Sequence, residues 1–242
     1  MLLAIDIGNT NINAAFFKGK KLVKRMTFGG FPQAEGMILK REISRINKAD
    51  SIIIVSVSPK RLNTVLGTLR KTNKGIPIYI VGKHLKVPIK SLYNPKEIGQ
   101  DRLVSAYAAS RLYGTPVLIV DFGTAVTFDV VSKNLVYLGG LILPGVKTSL
   151  ESIHKKTALL PEVELRRARG FIGTNTKDSI RNGMVYGYSL LCEGLIRKFK
   201  NKFKNLKVVA TGGDAKLISR YSPSIRKVDA DLSLKGISFL KD

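Results

Sequence analysis

Asp6-Ile7-Gly8-Asn9-Thr10 and Asp121-Phe122-Gly123-Thr124-Ala125 are two versions of one short pattern, set more than a hundred residues apart. Each follows an apolar run, Leu2-Leu3-Ala4-Ile5 in the first and Val117-Leu118-Ile119-Val120 in the second. Such a run predicts a short buried strand that delivers an Asp at its end, and the Gly two residues on permits a tight turn. Backbone N–H groups and Thr hydroxyls then point into whatever lies above the turn. They suit the oxygens of a phosphate, while a carboxylate beside them suits a metal ion or its waters. Two such turns facing each other suit the two ends of a triphosphate. A single copy is a weak signal, because strand-end Asp and turn Gly are common. The pair is far stronger.

Two further groups of residues invite chemistry. Gly99-Gln100-Asp101-Arg102 opens a predicted helix. There Asp101 is either an ordinary N-cap or a general base with close backbone access at Gly99 and a cation at Arg102. An Arg at a helix start opposes the dipole and calls for an anionic partner. Gly212-Gly213 follows a predicted strand and opens a helix, so backbone there can approach a nucleotide closely, although Gly-Gly is also a common bare turn. His84 and His154 belong to no metal or catalytic constellation. Cys192 and its neighbours Leu190, Leu191 and Leu195 read as core.

The elements that must position these residues come in two matching series. Strands are predicted over about 2–7, 12–18 and 21–28, a helix over 34–47, a buried strand over 51–57, a helix over 59–72 and a strand over 76–81. A polar stretch from Val87 to Ile98 leads into a helix over about 101–113. The series then restarts: strands near 116–121, 125–131 and 134–142, a helix from about 146, a long helix over 177–204, a strand over 207–211, a helix after Gly213, and a final strand–helix pair. Both halves open with a three-strand meander whose first turn carries the Asp motif, which is an internal duplication of fold. The expectation is an α/β protein of two domains, 1–114 and 115–242, with a cleft between them.

Composition sets outer limits. The chain has 242 residues, 44% of them apolar, enough for a real core. No apolar run approaches a membrane span, and the four apolar residues before Asp6 do not make a signal peptide, so a soluble, membrane-free protein is expected. One cysteine excludes an internal disulfide and fits a reducing cytoplasm. Forty-one Lys and Arg against 17 Asp and Glu give a formal charge of +24. That field attracts ATP as readily as nucleic acid. The densest run, Arg197 to Lys204, spaces Phe199 and Phe203 four apart, as at the end of an amphipathic helix, and not as a nucleic-acid platform.

Taken in order, these segments resemble the type III pantothenate kinases. The resemblance rests on Asp-Ile-Gly-Asn-Thr, Asn94-Pro95, Gly99-Gln100-Asp101-Arg102, and Asp-Phe-Gly-Thr-Ala-Val-Thr-Phe-Asp. Gly139-Gly140, Pro144-Gly145, Gly173-x-x-Thr176-x-x-Ser179 and Ala210-Thr211-Gly212-Gly213 extend it over nearly the whole chain. It implies the duplicated ribonuclease H-like fold of the actin, sugar-kinase and heat-shock ATPases. It also implies ATP-dependent phosphorylation of pantothenate, the entry to coenzyme A synthesis. On that resemblance Asp6, Ile7, Gly8, Asn9, Thr10, Asn11, Ile12 and Asn13 hold the ATP phosphates, with Asp6 near magnesium. Thr124, Gly212 and Gly213 also contact ATP. Asp101 is the base, Arg102 pairs with the pantothenate carboxylate, and Tyr93, Gly99 and Gln100 line the substrate. Tyr93 is otherwise an exposed loop tyrosine. Asp121 binds a monovalent cation, potassium or ammonium, with Asp129 the next candidate unless it merely faces solvent from its strand. Thr176, otherwise a helix cap, reaches pantothenate across a homodimer interface, and Gly183 and Gly187 allow close helix packing. Gln100 departs from the small residue usual at its place.

Two other functions compete. Members of this family have been described as transcription accessory factors, and the charge gives that reading a physical basis. No helix-turn-helix, zinc finger or RNA-binding motif is visible, however, so no specific nucleic-acid partner is expected. The other alternative is a superfamily kinase for a different small acid or alcohol.

Overall fold

The computed structural model describes residues 1–29, 49–72, 75–94 and 97–241. The helix expected over 34–47 and Pro95 of the Asn94-Pro95 pair lie outside them. The chain divides into two compact units, one of residues 1–89, 94–108 and 231–242, the other of 90–93 and 109–230.

The first unit is built on a five-stranded sheet in the order β3-β2-β1-β4-β5. Its strands are β1 (Leu2–Ile7), β2 (Asn11–Lys18), β3 (Lys21–Gly29), β4 (Ser51–Ser56) and β5 (Ile78–Ile80). β1, β2 and β3 form the predicted antiparallel meander, while β4 and β5 run parallel to β1. Leu3, Ile5 and Ile7 of β1 alternate with Leu2 and Ala4, and each set enters a different core. A strand buried on both faces explains why the sequence reads as an unbroken apolar run. Helix α1 (Pro59–Thr72) places Val65 and Leu69 on one of these cores; Pro59 stands at its first position, where its missing N–H leaves nothing unpaired.

The second unit repeats the plan, with strand order β10-β7-β8-β9-β6. β7 (Val117–Phe122), β8 (Ala125–Val131) and β9 (Val136–Pro144) are the meander, and β10 (Lys207–Thr211) lies parallel to β7. Short β6 (Lys90–Ser91) adds an edge beside β9. Helices α3 (Val146–Lys156) and α4 (Thr176–Lys202) cover this unit's core of Leu118, Val120, Phe122, Phe128, Cys192 and Ile196. α2 (Gln100–Tyr113) contributes residues to both units. The duplication extends to burial: in β1 and in β7 alike, only the Asp at the fifth position is not fully buried.

Two expectations change here. The final strand shrinks to a single parallel bridge between Ala210 and Val228. Leu190 is 62% exposed and Leu191 is also on the surface, because α4 buries Val185, Ser189, Cys192 and Ile196 along a different stripe. Short helices α5 (Ala215–Ile218) and α6 (Leu232–Ser238) complete the chain, and α6 packs on β1, β2 and β4 of the first unit.

Candidate active site

In the first unit, β1 brings Asp6 to the sheet's end beside Asn13 of β2 and Val55 of β4. The turn then closes tightly, Gly8 N–H donating to Asn11 O at 3.0 Å. Asn9, Thr10 and Asn11 are exposed, whereas Ile7 and Ile12 are buried and anchor the turn in the core. Arg61 of α1 donates to the Gly8 carbonyl at 2.6 Å, and Thr27 donates to the Asn13 side chain at 3.0 Å. Asp6 is half-buried and accepts a hydrogen bond from Ser233 at 2.7 Å. Burial pushes its carboxyl pKa up to about 6; the Ser233 bond opposes that rise and the negative charge of Asp101 adds to it. Asp6 and Asp101 are thus electrostatic neighbours in one unit.

Asp101 occupies the second position of α2 and is half-buried. Its Oδ1 accepts the Arg102 N–H at 2.8 Å, and the Gly99 carbonyl accepts the N–H groups of Arg102 and Leu103. A Cβ on Gly99 would overlap Asp101 Oδ1, so only glycine leaves the carboxylate where it is. The unusual Gln100 is accommodated by Gly82, whose φ is +83°. A Cβ there would come within 2.9 Å of the Gln100 side chain. The extra length of Gln100 is turned onto that glycine.

The second unit shows the same construction. Asp121 stands beside Thr127 of β8 and Thr211 of β10, and Gly123 N–H closes the turn on Ala125 O at 3.1 Å. The Thr124 carbonyl is gripped by Gly145 N–H at 3.0 Å and Thr148 Oγ1 at 2.8 Å, which ties the turn to the start of α3. Gly212 has φ +90°, and a Cβ on it would overlap both Asp121 Oδ1 and the Phe122 carbonyl. Gly213 has open space around it. Lys147 of α3 pairs with the buried Asp214 at 3.0 Å, so turn, helix and Gly-Gly loop are joined.

Tyr93 is half-buried and not an exposed loop residue: β6 and the Leu92 N–H bond to Tyr137 O hold it beside β9. Its ring meets that of Tyr137 edge-on at 6.4 Å. Gly139, at φ +102°, would bring a Cβ within 3.3 Å of the Tyr93 ring. Asp129 does not face solvent: it is 3% exposed and accepts hydrogen bonds from Tyr137 at 2.5 Å and Thr127 at 2.8 Å. Thr176 is the exposed first residue of α4, and the cap is Asn175, whose side chain accepts the Asp178 N–H at 2.9 Å. Gly183 and Gly187 are exposed with nothing near their Cβ positions.

Among the described residues no group of three or more His, Cys, Asp or Glu is placed to hold a metal. The histidines engage backbone groups, His84 Nδ1 accepting from Ile80 N–H and His154 Nδ1 lying 2.9 Å from Leu160 O. Burial, with the charge of Glu193, pushes the Cys192 thiol up to about 12, so it is inert. A surface groove on α4, bordered by Glu193, Arg197 and Lys200, contains none of the predicted site residues. Sequence reasoning missed Arg61, Lys147 and Ser233. Their partners lie far away in the chain, and no local pattern announces them.

The sequence model of the type III pantothenate kinase family matches residues 2–198. A type III pantothenate kinase of Rubrobacter xylanophilus is 40% identical, over 99% of this chain and 97% of its own length. Among solved structures, a Campylobacter jejuni protein provisionally assigned to the Baf family of transcriptional activators superposes with a TM-score of 0.62. It is 22% identical, and the match covers 98% of this chain and 96% of that one. A Sinorhizobium meliloti protein provisionally assigned as a 2-dehydro-3-deoxygalactonokinase gives 0.61 at 13% identity, covering 99% and 98%. At such identities the structures speak to fold alone, and the fold is the duplicated ribonuclease H-like one. With its family motifs on paired turns, a match across most of its length and a relative at 40% identity, the chain belongs to the type III pantothenate kinases.

Proposed function

We propose that this protein transfers the γ-phosphoryl group of ATP to the terminal hydroxyl of pantothenate, giving 4'-phosphopantothenate at the start of coenzyme A biosynthesis. The observation that carries the reading is the family match along residues 2–198. Phosphoryl transfer has a loose transition state, so positioning and charge neutralisation do most of the work. The two turns supply that: N–H groups and hydroxyls of residues 6–13 and of Thr124 bind phosphate oxygens, and Gly212-Gly213 admits the nucleotide close to backbone. Asp101, fixed by the Arg102 N–H and by the absence of a side chain at Gly99, accepts the hydroxyl proton. Arg102 pairs with the pantothenate carboxylate, Tyr93, Gly99 and Gln100 border the substrate, and Thr176 completes the site of a neighbouring subunit in a homodimer.

Magnesium fits Asp6, where buried negative charge adjoins that of Asp101 and a cation would relieve both. When bound it offsets charge on the phosphate oxygens. A monovalent cation fits Asp121, a single carboxylate beside the backbone of Phe122 and Gly212, a donor set for a weakly held hard ion. The test is a coupled ADP-release assay with pantothenate, pantetheine and a panel of sugars. Pantothenate-dependent ADP release supports the reading; turnover with a sugar and none with pantothenate makes the protein a different superfamily kinase.

A further inference from the structure

We propose that α6 is a brace for the phosphoryl-transfer site and that Ser233 is its positioning residue, fixing the Asp6 carboxylate relative to the helix that carries Asp101. The inference rests on the functional reading above. It concerns a segment beyond residues 2–198, where the family match ends.

Three contacts define the brace. At its start, Asp231 does not cap α6 with its side chain; it pairs with Arg25 of β3 at 3.1 Å. Two residues on, Ser233 Oγ donates to Asp6 Oδ2 at 2.7 Å across 227 residues of sequence. At its middle, a Cβ on Gly236 would come within 2.5 Å of the Val104 carbonyl and 3.1 Å of Ala108 Cβ, so α6 and α2 touch at a depth that admits no side chain. Leu234 and Ile237 fasten the helix into the core that holds Leu2 and Ala4 of β1 and Val104 of α2. Phe239 adds an edge-on contact to Tyr107 at 6.5 Å.

The physical need is plain. Rotation about χ2 of an Asp is broad, so a carboxylate at a strand end does not point one way unless something holds it. A hydroxyl donor at 2.7 Å from a helix locked against both β1 and α2 supplies that hold. It adds no charge, so the carboxylate stays available to a cation. A hydrogen bond to a charged group is among the stronger ones, and its loss typically changes an equilibrium about tenfold or more.

Calorimetric titration with ATP, with and without magnesium, tests this without any acceptor. Ser233→Ala should weaken ATP binding in magnesium about tenfold, change metal-free ATP binding much less, and leave the pantothenate KM near its wild-type value. Ser233→Thr, which keeps the hydroxyl, should restore most of the affinity. Ser233→Cys keeps the volume with a much weaker donor and should behave like the alanine variant, so it replaces that variant if alanine prevents folding. Unchanged magnesium-dependent binding in a folded Ser233→Ala or Ser233→Cys protein overturns the proposal, as does failure of Ser233→Thr to restore it. A wild-type protein that binds ATP and magnesium yet ignores pantothenate would refute the functional reading alone.

Discussion

Asp6 carries a carboxyl that burial, opposed by the Ser233 bond and reinforced by Asp101, pushes up to about 6. Its folded-state pKa is therefore above the unfolded value near 3.8, and the folded protein holds this proton more tightly than the unfolded chain. Stability from this group is greatest below about pH 4 and is lost as pH rises toward 6. At neutral pH keeping this charge in the folded protein costs about 3 kcal/mol. Asp6→Asn should accordingly raise the unfolding temperature of the nucleotide-free protein at pH 7.5 by roughly 5 °C, with the gain vanishing near pH 4, while magnesium-dependent nucleotide use is lost. Thermal scans across pH check this. The placement of Asp6 at a strand end and of Asp101 at a helix start was legible because Asp-x-Gly after an apolar run and Gly-x-Asp-Arg before a helix are local patterns. Asp129 was not. Its partner Thr127 lies on the same strand, but Tyr137 becomes its neighbour only when β8 and β9 pair, and alternation along a strand does not say which face is covered.

Helices and turns hold the site through contacts that leave no room for change. Gly212 lies against the Asp121 carboxylate and the Phe122 carbonyl with a positive φ, so Gly212→Ala is both strained and overlapping. It should cost about 2 kcal/mol or more and weaken the response to potassium along with nucleotide binding; denaturant melts and activation curves check both effects. Asp121→Ala should lose potassium activation while keeping the fold, and a full potassium response would move the cation site elsewhere. At α4 the cap is Asn175, so Asn175→Ala should cost about 1 kcal/mol, whereas Thr176→Ala should barely change stability and should impair turnover. β1 and β7 were readable from sequence because strands buried on both faces are continuous apolar runs. The last strand was overestimated, since only Val228 bridges Ala210.

Across the whole molecule, the duplicated plan was visible in the repeated motif, but the return of residues 231–242 to the first unit was not. That return depends on Leu234, Ile237 and Gly236 meeting a surface made by β1 and α2, a long-range packing fact with no periodic signature. Among the described residues no helix is long and apolar enough to cross a membrane. If Thr176 serves a neighbouring subunit, the inactive variants Asp101→Asn and Thr176→Ala should regain activity when their subunits are exchanged, because one hybrid site keeps both residues. No recovery after confirmed exchange would place Thr176 with its own Asp101. The charge of +24 should give only weak, sequence-independent DNA binding that falls steeply with salt. The central claim is that Asp101 serves transfer to pantothenate, and rapid-quench mass spectrometry of one turnover tests it most directly. The wild-type protein should form one phosphopantothenate per ADP, and Asp101→Asn, still binding ATP, should form it at least about a hundredfold more slowly. ADP without phosphorylated pantothenate, or an undiminished rate in Asp101→Asn, would contradict the account.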